Sequence, residues 1–152
     1  MNVEATEVRH VMTTAVVTVG PEDSIQEAAL RLSSNRISGM PVVAGRRVVG
    51  VISESDIIQA LTPPMERERG MTLLDFVMRA RESTQEPRRL ALVEDVMSSA
   101  VSTIAPTASI WEAASAMHRR GVKRLPVIDD DNRLVGIVSR ADLVRAIASV
   151  VT

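Results

Sequence analysis

Gly50-Val51-Ile52-Ser53-Glu54-Ser55-Asp56 and Gly136-Ile137-Val138-Ser139-Arg140-Ala141-Asp142 are two copies of one phrase. Each closes a solid apolar run, Val48 to Ile52 or Leu134 to Val138, which predicts a strand buried on both faces. A serine with an aspartate three residues on then predicts a helix start. The hydroxyl and the carboxylate satisfy N–H groups that a first helical turn leaves free. The phrase is a strand-to-helix junction, and the chain carries it twice.

The duplication extends outward from that phrase. At an offset of 85 residues Met12 matches Met97, Thr18 matches Thr103, Pro21 matches Pro106, Ser24 matches Ser109, Glu27 matches Glu112 and Pro41 matches Pro126. At an offset of 86, Gly50 matches Gly136, Ser53 matches Ser139 and Asp56 matches Asp142. One extra residue in the second hairpin accounts for the change. An ungapped match of this extent marks an internal repeat.

Each unit predicts the order β-α-β-β-α. A lead-in ends at Met12 or Met97. A β-rich stretch follows, Val16 to Val19 or Val101 to Ile104, stopped by Pro21 or Pro106. Ser24 with Glu27, and Ser109 with Glu112, predict capping boxes. In the second unit Ile110, Ala113, Ala114 and Met117 share one helical face. Met40 to Val43 and Leu125 to Ile128 predict strands that start at a proline edge. Ala44 to Arg47 and Asp129 to Arg133 predict hairpin turns. The expected architecture is α/β (α+β): two pseudo-symmetric units, 8–60 and 93–149, packed sheet to sheet. Between them lies a linker, 61–92, with a helix over 71–81.

Composition narrows the function classes. The chain has 152 residues, 45% hydrophobic and 24% charged, enough for a packed core. A net charge of −1 supplies no global field for nucleic acid or an anionic membrane, so neither is an expected partner. Without cysteine there is no disulfide, thiolate metal site or cysteine nucleophile, which fits a cytoplasmic location. The acidic start, Met1 to Glu7, does not read as a secretory signal, and no run is long enough to span a bilayer. With only Trp111 and Phe76 as aromatics, any base pocket is walled by aliphatic side chains.

The Val-Met lead-in, the Pro-Val strand and the closing Gly-x-x-Ser-x-x-Asp together resemble the cystathionine β-synthase (CBS) domain family. The resemblance covers both units and leaves the linker outside. Two such domains in one chain resemble a Bateman module. That implies clefts between the units that receive adenosine-containing ligands: AMP, ADP or ATP, with S-adenosylmethionine and NAD as alternatives. It implies a ribose-binding role for Asp56 and Asp142 and a phosphate-side role for Ser53 and Ser139. It also implies a homodimer.

The chemistry of these residue types agrees. A carboxylate accepts two hydrogen bonds from a vicinal diol, and a helix N-terminus favours phosphate oxygens. Arg36, Lys123, Arg124 and Arg140 are further phosphate partners, with the Asp142 side expected to favour the more anionic ligand. Val17, Ile37, Met40 and Pro41 are expected to wall one base pocket, and Ser102, Val122, Leu125 and Pro126 the other. Backbone groups near Ala15 and Ala100 are placed to read the base edge. Trp111, one step off the apolar face of its helix, is assigned to a dimer contact.

Plainer readings stand beside these. Ser-x-x-Asp is also a self-sufficient helix cap. The cationic cluster His118 to Arg124 suits a helix C-terminus. Asp129-Asp130-Asp131 lacks the glycine and distal glutamate of a calcium loop, so no metal is expected. No Ser-His-Asp set or Gly-rich phosphate loop is present, so an enzyme is not expected. The leading functional expectation is a regulatory module, with no required cofactor, that senses an adenosine nucleotide and signals to a separate, unidentified protein. The alternative is an interaction or assembly module with structural or empty clefts.

Overall fold

The computed structural model describes residues 2–62 and 91–151; the expected helix over 71–81 lies outside them. In the first unit, helix α1 (Ile25–Asn35) precedes the antiparallel strands β1 (Gly39–Ala44) and β2 (Arg47–Ser53), and helix α2 (Glu54–Leu61) closes it. A short helix α3 (Val93–Val96) leads into the second unit. There α4 (Ile110–Arg120), β3 (Arg124–Ile128), β4 (Leu134–Ser139) and α5 (Arg140–Val151) repeat the plan. The fold is two small mixed units, as the repeat predicts. They meet edge to edge at the hairpins, where the Leu134 N–H donates to the Arg46 carbonyl at 2.9 Å.

The expected first strand of each unit shrinks to a single parallel bridge, Val19 to Val42 and Ile104 to Val127. Proline is the reason. Val19 N–H donates to the Pro41 carbonyl and accepts, through its own carbonyl, from Val43 N–H. Extending the ladder toward Val17 would need an N–H at position 41, which proline lacks. Pro126 interrupts the second unit in the same way, leaving only the bonds of Ile104.

The lead-ins change places. Val8, a fully buried lead-in residue of the first unit, packs with Ile110, Ala113, Met117, Leu125 and Val138 of the second. Val93, its match, completes the first core with Ile25, Ala28, Leu32, Met40 and Ile52. The backbone repeats the exchange: Thr13 and Ile137 trade two hydrogen bonds of 2.9 Å, and Val51 and Ser98 trade two of 3.0 and 2.9 Å. Methionine and glycine lock it. A Cβ at Gly136 would lie 2.5 Å from Met12 Sδ and 3.0 Å from the Thr13 carbonyl oxygen, and one at Gly50 would meet Met97 and Ser98 at the same distances. The Val-Met and Gly-x-x-Ser-x-x-Asp motifs are therefore two halves of one contact, made crosswise between units. Gly136→Ala is expected to cost about 1–3 kcal/mol in denaturant unfolding, partly recovered by Met12→Ala; an unchanged midpoint would contradict the close approach.

Candidate functional site

At the end of β2 the chain turns into α2 through a complete capping box. Ser53 N–H and Oγ–H both donate to Asp56 Oδ2, at 2.8 and 3.0 Å, and Asp56 N–H donates to Ser53 Oγ at 3.3 Å. Ser139 and Asp142 repeat this at the start of α5, at 2.8, 2.9 and 3.2 Å. The plain capping role is thus realised at both junctions. It uses one oxygen of each carboxylate. Asp56 Oδ1 has no partner among the described residues, whereas Asp142 Oδ1 faces Arg145 Nη1 at 3.4 Å. Gln59 stands where the first unit matches Arg145, so the pull exists on one side only.

Asp56 borders a cleft of about 390 Å³ whose walls come from both units. The first unit contributes Ser38, Met40, Ser53, Glu54 and Asp56. The second contributes Ala100, Ser102, Val122, Lys123, Arg124 and Pro126. The volume falls within the roughly 300–1,000 Å³ of small-molecule sites. The expected grouping of walls is corrected: Met40 sits with Ser102, Val122 and Pro126, because the two units face each other and each gives one wall. Leu125 does not border this cleft; it is fully buried in the second core. Pro41 does not border it either. Val17 and Ile37 pack, partly buried, on the first core, while Ala15, Arg36 and Arg140 are exposed. Arg36 takes a left-handed conformation (φ 53°) at the end of α1, and neither it nor Ser139, Arg140 or Asp142 lines the Asp56 cleft.

The cations are also redistributed. Lys123 and Arg124 lie on the Asp56 side, although the Asp142 side is the one expected to favour the more anionic ligand. Arg124 crosses from the second unit and donates to Ser38 Oγ of the first. It passes over Gly39, where a Cβ would collide with its guanidinium. Gly39 matches Arg124 in the repeat, so one unit supplies the arginine and the other the space for it. Burial pushes the Arg124 guanidinium below its ordinary value, and nearby Glu54 opposes that shift. Sequence reasoning missed Ser38; the glycine–arginine mismatch at an otherwise matched position was the available signal. Among the described residues no set of three His, Asp or Glu side chains gathers as a metal site, and no helix is long and apolar enough to cross a membrane.

Known proteins agree with this architecture. The profile of the CBS domain matches residues 8–63 and 93–149. Protein MJ1426 of Methanocaldococcus jannaschii is 33% identical over 159 residues, which cover 97% of this chain and 94% of that protein. Inosine-5'-monophosphate dehydrogenase of Korarchaeum cryptofilum is 30% identical over 128 residues, 84% of this chain but 21% of that enzyme. The CBS domain pair of protein MJ0100, solved with 5'-methylthioadenosine and S-adenosyl-L-methionine, aligns with a TM-score of 0.72 at 25% identity, covering 95% of this chain and 98% of that one. The chain belongs to the CBS domain family and carries the domain twice, as a tandem pair.

Proposed function

We propose that the chain is a regulatory module that holds an adenosine-containing ligand in the cleft between its two units and passes the resulting change of arrangement to a separate protein. The observation that carries this reading is the Asp56 cleft. It joins a carboxylate oxygen without a partner among the described residues, a helix N-terminus and a half-buried guanidinium across the seam of two units. Asp56 Oδ1 receives ribose hydroxyls, and Ser53 turns its hydroxyl from the cap to a phosphate oxygen. Arg124 leaves Ser38 for the phosphate, while Met40, Val122 and Pro126 enclose the base. The bound 5'-methylthioadenosine and S-adenosyl-L-methionine of the MJ0100 pair support the adenosine class. Because ligand contacts come from both units, binding favours one relative arrangement over another, which is the requirement for signalling.

Thermal shift tests this. AMP at a hundred times its Kd adds about 2.7 kcal/mol, a rise of several degrees for a chain of this size. Absence of any shift across AMP, ADP, ATP, S-adenosylmethionine, 5'-methylthioadenosine and NAD would leave the assembly-module reading, which the self-sufficient capping boxes favour. Arg124→Met is expected to weaken AMP about tenfold and leave 5'-methylthioadenosine, which has no phosphate, unchanged.

A homodimer belongs to the same reading. Ile58 and Leu61 on α2 are exposed, and so are their matches Val144 and Ile147 on α5. A duplicated apolar strip suits a symmetric partner. Trp111 has only Gln26 as its match and so breaks that symmetry; the strip on α2 and α5 is the better dimer surface. Leu61→Glu with Ile147→Glu is expected to yield a folded monomer in sedimentation velocity, and an unchanged sedimentation coefficient would count against the strip.

A further inference from the structure

The units differ in one groove. In the first unit Arg31, on α1, fills it. Its Nη1 donates to the Thr18 carbonyl at 2.6 Å and its Nε to Glu27 Oε1 at 2.9 Å, with Asp23 Oδ2 3.8 Å from Nη1. Glu27 has left its capping box to do so: Ser24 Oγ still accepts from Glu27 N–H, but the carboxylate faces Arg31. The position matching Arg31 is Ala116, at the offset that pairs Thr18 with Thr103 and Glu27 with Glu112. There the arginine is missing; the Thr18 carbonyl and Glu27 keep their matches in Thr103 and Glu112, while Asp23 is matched by Ala108. A groove of about 660 Å³ runs along α4, lined by Thr103, Ala108, Trp111, Glu112 and Ala116. Among the described residues the Thr103 carbonyl accepts no hydrogen bond. Glu112, with no arginine to meet, folds back and accepts from Ser109 N–H at 2.7 Å. Trp111, 69% exposed, adds an indole face.

We propose that this groove receives an arginine side chain from a partner polypeptide, in the place that Arg31 occupies in the first unit. A guanidinium fork reaches a carbonyl and a carboxylate together and stacks on an indole; an ammonium offers no such fork. His118, Arg119 and Arg120 line the far end of the groove, on the last turn of α4, where the helix dipole favours cations. They repel a run of basic residues, so the partner presents a single arginine flanked by neutral or acidic ones. The groove lies on the second unit's helix and shares no lining residue with the Asp56 cleft.

Trp111 is the sole tryptophan, so its fluorescence reads the groove directly. The full chain is titrated with a capped glycine-arginine-glutamate peptide, with the same peptide carrying citrulline for arginine, and with one carrying glutamate there. The arginine peptide is expected to give a saturable change, and citrulline at least about tenfold weaker binding. Ala116→Arg, which fills the groove from within, is expected to abolish the response, and Glu112→Gln to weaken it about tenfold while keeping the cap. An equal response to citrulline, a stronger one to the glutamate peptide, an emission change that follows protein concentration alone, or no saturable change would each overturn the proposal.

Discussion

Val93→Asp is expected to disrupt the first unit's core, although Val93 stands at the head of the second repeat. The side chain is fully buried among Ile25, Ala28, Leu32, Met40 and Ile52. An unpaired carboxylate there costs more than about 4 kcal/mol, a large part of the roughly 5–15 kcal/mol that stabilises a domain. Val93→Ala, at about 2–4 kcal/mol, keeps the chain folded enough to locate the damage. Amide exchange should then quicken first in α1, β1 and β2. Val8→Ala should reverse the pattern, loosening α4, β3 and β4, because Val8 fills the second core. Protection lost in the unit whose repeat contains the mutated residue would refute the exchange of lead-ins.

The second large effect concerns ligand. Asp56→Asn is expected to lower affinity for AMP by about ten- to a hundredfold while moving the melting temperature little. Asparagine keeps a carbonyl oxygen to accept from Ser53 N–H, so the helix cap persists. At Oδ1, however, an acceptor becomes a donor, and a charge-assisted bond to each ribose hydroxyl, about 1.5–3 kcal/mol, is lost. Asp142→Asn should matter less, since Arg145 already faces that carboxylate. Calorimetric affinities for the three proteins decide it. A variant that binds AMP as tightly as the parent chain would remove Asp56 from the site and leave it a cap.

The repeat, the order of elements and both Ser–Asp junctions were legible because each is a local rule written in adjacent residues: cap chemistry at position three, apolar periodicity along a helix, proline at a strand edge. The exchange of lead-ins was not. Val8 and Val93 have the same neighbours in sequence and the same apolar character, and periodicity tells which face of a segment is buried without telling against what. The cleft followed the same division. Its carboxylate and serine were readable, but the partner wall was not, because Met40 and Ser102 meet only through the facing of the two units. Arg124 was picked out for its charge, yet its placement beside Asp56 depends on the space over Gly39, a contact between residues 85 positions apart. Glu27 and Glu112 carry the lesson furthest. The same capping sequence closes in one unit and opens in the other, decided by whether position 31 or 116 holds an arginine.

Calorimetric titration of the intact chain with adenosine and with 2',3'-dideoxyadenosine bears most directly on the claim that a carboxylate in this cleft holds a ribose. Adenosine should bind, and loss of its two hydroxyls should weaken binding at least about tenfold. Equal affinity for the two nucleosides, or no heat with either of them or with AMP, would contradict it.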